Sequence, residues 1–90
     1  MNTEDVKQLM LFYLMDVDLS GYHYAAVDED CLLCIYKYKP VLQYKNSTII
    51  NKFWIPYEEY NSTNNCTSVY DNIRILDITD FDHTQTLMEL

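Results

Sequence analysis

Val6, Met10, Tyr13, Leu14 and Val17 recur at the spacing of one helical face, the only long stretch of the chain to do so. The spacing predicts an amphipathic helix over residues 3–17. Thr3 is its expected N-cap, because a threonine hydroxyl can accept a first-turn amide. Glu4 and Asp5 follow where the helix dipole favours negative charge. Leu9, Leu11, Phe12 and Met15 widen the apolar surface beyond one stripe. A helix this apolar is expected to be covered on more than one side, by the rest of the chain or by a partner.

After Gly21, the single glycine and a natural turn position, most of the chain reads as short strands. Tyr22–Val27 and Cys31–Lys39 form a predicted hairpin around the polar turn Asp28-Glu29-Asp30. Val41–Tyr44 continues after Pro40, Lys45–Thr48 is a turn, and Ile49–Ile55 is a further strand ended by Pro56. Tyr57–Tyr60 reads as a helical turn and Asn61–Ser68 as a polar loop. Val69–Thr79 reads as a strong strand. The tail from Asp80 reads either as a short capped helix or as a frayed end. The expected fold is α+β: one domain, residues 1–90, with the N-terminal helix packed on a four- to five-stranded antiparallel sheet.

Composition agrees with a packed domain. Hydrophobic residues make up 49% and aromatics 14%, too many for a disordered chain despite the net charge of −8. The acidic start is unlike a secretory signal, and the apolar run Leu9–Met15 is too short to span a bilayer. These features point to an intracellular, cytoplasmic protein without a membrane role. In that setting the tripeptides Asn46-Ser47-Thr48, Asn61-Ser62-Thr63 and Asn65-Cys66-Thr67 mark surface loops rather than glycosylation sites. The bias toward Phe, Tyr, Met, Ile, Asn and Lys over Gly, Ala, Arg and Pro fits an AT-rich genome, as in many phages, large viruses and low-GC bacteria.

Charge is distributed in blocks. Residues 1–30 carry seven acids and one base, residues 31–52 carry four lysines and no acid, and residues 53–90 again carry seven acids and one base. Acids in such numbers keep a small domain soluble, and lysines discourage sheet edges from aggregating. They also repel phosphate, which argues against direct nucleic-acid binding and for a basic protein partner. The expected partner is a nucleic-acid-binding protein whose basic site this chain blocks as a DNA mimic. The candidate contacts are Asp16, Asp18, Asp28, Glu29, Asp30, Glu58, Glu59, Asp77, Asp80 and Asp82. Hydrophobic or aromatic groups anchor such interfaces, so whichever of Phe53 and Trp54 faces outward is a further candidate, with Trp54 favoured.

No catalytic constellation emerges. Cys66, His83 and Asp82 can be named as a set, but no local pattern joins them. One glycine cannot build a phosphate-cradling loop. Cys31-Leu32-Leu33-Cys34 has zinc or redox spacing, yet in a strand its sulfurs point to opposite faces. The chain is expected to be non-enzymatic and without cofactor. Tyr22 with Tyr24 and Tyr36 with Tyr38 are expected to form a four-ring cluster on one sheet face. Two alternatives accompany the inhibitor reading: an accessory subunit or homodimer held by apolar and aromatic contacts, and a small zinc-binding domain using the C-x-x-C pair.

Overall fold

The computed structural model describes residues 1–44, 52–56 and 70–90. The predicted turn at 45–48, the helical turn at 57–60, the loop at 61–68 and the first residues of the strand at 49–55 lie outside the described residues. So do Glu58, Glu59 and Cys66.

Helix α1 spans Thr3–Leu14. Its N-cap is Asn2, whose side-chain oxygen accepts the Asp5 amide at 2.9 Å, so Thr3 is the first helical residue rather than the cap. The helix ends three residues earlier than its periodicity suggests, and the chain turns back through Gly21 at φ 83°, a backbone that favours glycine.

Among the described residues six strands follow: β1 Tyr24–Val27, β2 Leu32–Tyr36, β3 Val41–Tyr44, β4 Lys52–Ile55, β5 Tyr70–Ile75 and β6 Met88–Glu89. They form a four-stranded antiparallel sheet in the order β5-β2-β1-β6 and a separate hairpin, β3-β4. The protein is thus α+β, with its helix on one sheet face. Val6, Met10 and Leu14 bury against Ala25, Val27, Leu33 and Ile35, with Leu76 and Ile78 completing that core. Alternation along β1 and β2 sends Ala26, Cys34 and Tyr36 to the other face. There they meet Trp54 of β4, with Leu42 of β3 packed alongside. The second hairpin therefore covers the face the helix leaves open.

The β1–β2 loop, Asp28–Cys31, closes with the Cys31 amide on the Asp28 carbonyl at 2.9 Å and the Asp28 amide on the Leu32 carbonyl at 3.1 Å. Cys31 takes φ 68° to do so, which is why β2 starts at Leu32 rather than Cys31. The predicted strand at 69–79 stops at Ile75. Leu76 and Ile78 still enter the core, but Asp80 at φ 55° turns the chain across the end of the sheet.

That crossing segment leads through a 3-10 helix, His83–Gln85, to β6 on the opposite edge. Asp82, not Asp80, caps this short helix by accepting the Thr84 amide at 3.0 Å. Thr86 is wholly buried beyond it. Its hydroxyl oxygen accepts the Val27 amide at 2.9 Å, and its proton faces the carbonyls of Val27 and His83. A side chain thus extends the β1–β6 ladder where backbone pairing has ended. Thr86→Val keeps the volume but strands the Val27 amide. It is expected to lower stability by about 1–3 kcal/mol in urea titrations, while Thr86→Ser, which keeps the hydroxyl, retains most of it.

Candidate partner-binding surface

The antiparallel sheet gathers acids at one end. Strand β5 finishes beside the start of β2, so the chain after it meets the β1–β2 loop: the Leu76 amide donates to the Cys31 carbonyl at 2.8 Å, and the Cys31 thiol donates to the Ile78 carbonyl at 3.4 Å. The amino group of Met1 then ties the start of α1 to the carbonyls of Thr79 (3.2 Å) and Asp80 (2.8 Å). These contacts bring three separate chain segments to the same end of the molecule. Asp28, Glu29 and Asp30 come from the loop, Asp77, Asp80 and Asp82 from the crossing segment, and Glu4 and Asp5 from the first turn of α1.

Asp16 and Asp18 are not part of this group. They follow α1 on the path back to the beginning of β1, and Asp18 binds the Ser20 amide at 3.1 Å. Ser20's hydroxyl, then its amide, hold the Asp18 carboxyl below its ordinary range. The Thr84 hydroxyl does the same for Asp82. Both groups therefore stay negative well into acid. Lys37 and Lys39 also lie away from the acidic end. With His23, Tyr38 and Glu89 they border an open cavity of about 430 Å³ near the beginning of β1.

Asp28 differs from its neighbours. It is half-buried, and its Oδ1 accepts the Trp54 amide and the Glu29 amide, both at 3.2 Å. It thus ties the second hairpin to the first, a role with no signal in the sequence. Burial pushes its carboxyl above the ordinary range, against the pull of these two amides; Asp30 adds to the rise and His83 opposes it. Because the folded state holds this proton more tightly than the unfolded chain, ionising Asp28 lowers stability as pH rises through its pKa. Asp28→Asn keeps the Oδ1 acceptor without the charge. It is expected to match or exceed the wild type at pH 7 and to lose less stability than the wild type between pH 4 and pH 7 in urea titrations. Asp28→Ala is expected to cost about 1–3 kcal/mol, by orphaning the Trp54 amide.

Trp54 is not an outward-facing candidate. It is 7% exposed, packs on Ala26, Cys34 and Tyr36, and donates its indole Nε1–H to the His83 carbonyl at 2.9 Å. Phe53, the alternating neighbour, is half-buried. The four-tyrosine cluster does not form either. The strand begins only at Tyr24, so Tyr22 packs with the helix-side core beneath the Lys37 ammonium, 5.7 Å from the ring. Tyr24 pairs with Tyr36, and the third ring is Tyr70, stacked on Tyr36 at 6.2 Å.

Cys31 belongs to the helix-side core and Cys34 to the opposite cluster, so a single metal ion cannot take both. The Cys34 thiol donates to Asn72 Oδ1 at 3.1 Å, and burial pushes its pKa up to about 11, which makes it a poor nucleophile. Among the described residues, no group of three or more His, Cys, Asp or Glu is placed to hold a metal, and no helix is long and apolar enough to cross a membrane.

A second surface is apolar. Leu11, Phe12 and Met15 are 51%, 63% and 76% exposed, and Phe12 makes only an edge-on contact with Tyr13 among ring pairs of the described residues. The sheet covers one side of α1 and leaves this one exposed, so among the described residues only part of the broad apolar girth read from the sequence is packed.

Comparison of the chain with protein-family models, curated proteins and solved structures finds no match.

Proposed function

We propose that the protein acts without chemistry, by binding a basic protein at a site that otherwise holds nucleic acid. Its acidic end, contributed by the β1–β2 loop, the crossing segment and the start of α1, is the observation that carries this reading. Carboxylates fixed on a folded scaffold present negative charge to a basic groove with little ordering cost on binding. Their summed field also speeds and orients the encounter. The hydrogen bonds that hold Asp30 to the Leu32 amide and Asp82 to Thr84 fix the directions of two of them. A phage or viral inhibitor of a host nucleic-acid-handling protein fits this mechanism and the AT-rich residue bias, and it would work in the cytoplasm of the host.

The test is capture by immobilised protein from lysate of the source cell or its host, eluted along a salt gradient. The reading expects a nucleic-acid-binding protein released by salt and by competing DNA or RNA, since screening weakens charge-led contacts. Retention indifferent to both would contradict it.

The exposed Leu11, Phe12 and Met15 favour a second reading, an accessory subunit or homodimer joined through α1. It expects association that survives salt and is lost in Leu11→Ser/Phe12→Ser.

A further inference from the structure

A groove of about 280 Å³ opens between β4 and the sheet face formed by β2 and β5. It is lined by the almost fully buried Tyr36 and Trp54 and by the more exposed rings of Phe53, half-buried, and Tyr70, 40% exposed. Among the described residues of its lining, Asp28 is the one charged group, and the His83 imidazole acts on it from outside the groove. Both amide bonds to Asp28 fall on Oδ1, so Oδ2 lies outside them. Asn72 adds a polar side chain at the β5 side. Aromatic faces attract cations through their quadrupole, and a partly desolvated carboxylate does so more strongly than an exposed one.

We propose that this groove receives the guanidinium group of an arginine on the basic partner. The inference rests on the function proposed above and supplies its anchor: the acidic end orients the partner, and the groove holds one side chain. A guanidinium fits better than an ammonium. It is planar, stacks on aromatic rings, is more weakly hydrated and directs two N–H groups at one carboxylate. The groove adjoins the acidic loop through Asp28 itself, so one partner surface reaches both.

The test titrates N-acetyl-arginine-amide into isotopically labelled protein, following the Trp54 indole N–H and the amides of Phe53, Tyr70 and Asn72. Binding is expected to saturate with a dissociation constant on the order of a millimolar. The citrulline analogue, equal in shape but uncharged, is expected to leave these signals in place, and the lysine analogue to bind several-fold more weakly. Asp28→Asn, which keeps the hairpin tie, is expected to weaken binding about tenfold. Phe53→Ala weakens it by removing a lining ring, and its undisturbed β1–β2 signals show that the fold survives. Equal shifts from the arginine and citrulline analogues, equal binding of the lysine analogue, or shifts confined to Glu29, Asp30 and Asp77 would overturn the proposal. A captured partner that tolerates Asp28→Asn and Phe53→Ala but is lost on reversal of Glu29 and Asp30 would overturn the groove and leave the proposed function standing.

Discussion

Trp54→Ala is expected to lower stability by about 3–5 kcal/mol, the usual loss for a buried tryptophan. For a small domain with a total stability of about 5–15 kcal/mol, that is a large share. Three losses combine. The ring leaves a cavity against Ala26, Cys34 and Tyr36, the His83 carbonyl loses its indole donor, and the second hairpin loses its grip on the sheet. Urea unfolding followed by circular dichroism measures the effect, because Trp54 is the only tryptophan. Trp54→Phe keeps most of the ring and loses the hydrogen bond, so it should fall between. A change below about 0.5 kcal/mol in Trp54→Ala, the range of surface substitutions, would place the indole outside the core.

Leu33→Ala is expected to cost about 2–5 kcal/mol. Leu33 is fully buried in the helix-side core that holds Val6, Met10, Val27, Ile35, Leu76 and Ile78, and neighbours from four chain segments cannot all collapse into the space it leaves. Phe12→Ala, on the open side of the same helix, should change stability by less than about 0.5 kcal/mol. The contrast separates the face of α1 that builds the domain from the face that is free to meet a partner. A comparable loss in both variants would mean that Phe12 is covered in the folded chain.

The elements with a strong period were legible in the sequence. The stripe Val6, Met10, Leu14 is the buried face of α1, and Val41–Tyr44 is a strand with the expected bounds. Boundaries failed where a backbone conformation, rather than a pattern, decides them. Cys31 and Asp80 both adopt positive φ, which apolar periodicity does not report, and these two positions shorten β2 and redirect the chain after β5. Strand β6 has two residues, too few to show alternation, and pairs because β1 offers an edge. The acids were visible as a list but not as a surface: antiparallel pairing joins Asp28–Asp30 with Asp77 and leaves Asp16 and Asp18 elsewhere. Trp54 was misplaced because alternation fixes which neighbours oppose one another, but not which face the second hairpin turns toward the sheet. The groove was illegible for the same reason, since Tyr36, Phe53 and Tyr70 come from three strands.

The most direct measurement of the central claim compares two double charge reversals of equal size. Glu29→Lys/Asp30→Lys alters the acidic end, and Asp16→Lys/Asp18→Lys alters the helix exit by the same four charge units. Both pairs are exposed, so both variants should fold. The account predicts that the first loses salt-sensitive capture of the basic partner, while the second keeps it with only a modest loss from the lower net charge. Equal losses would show that total charge, and not the acidic end, directs binding, and would contradict the account.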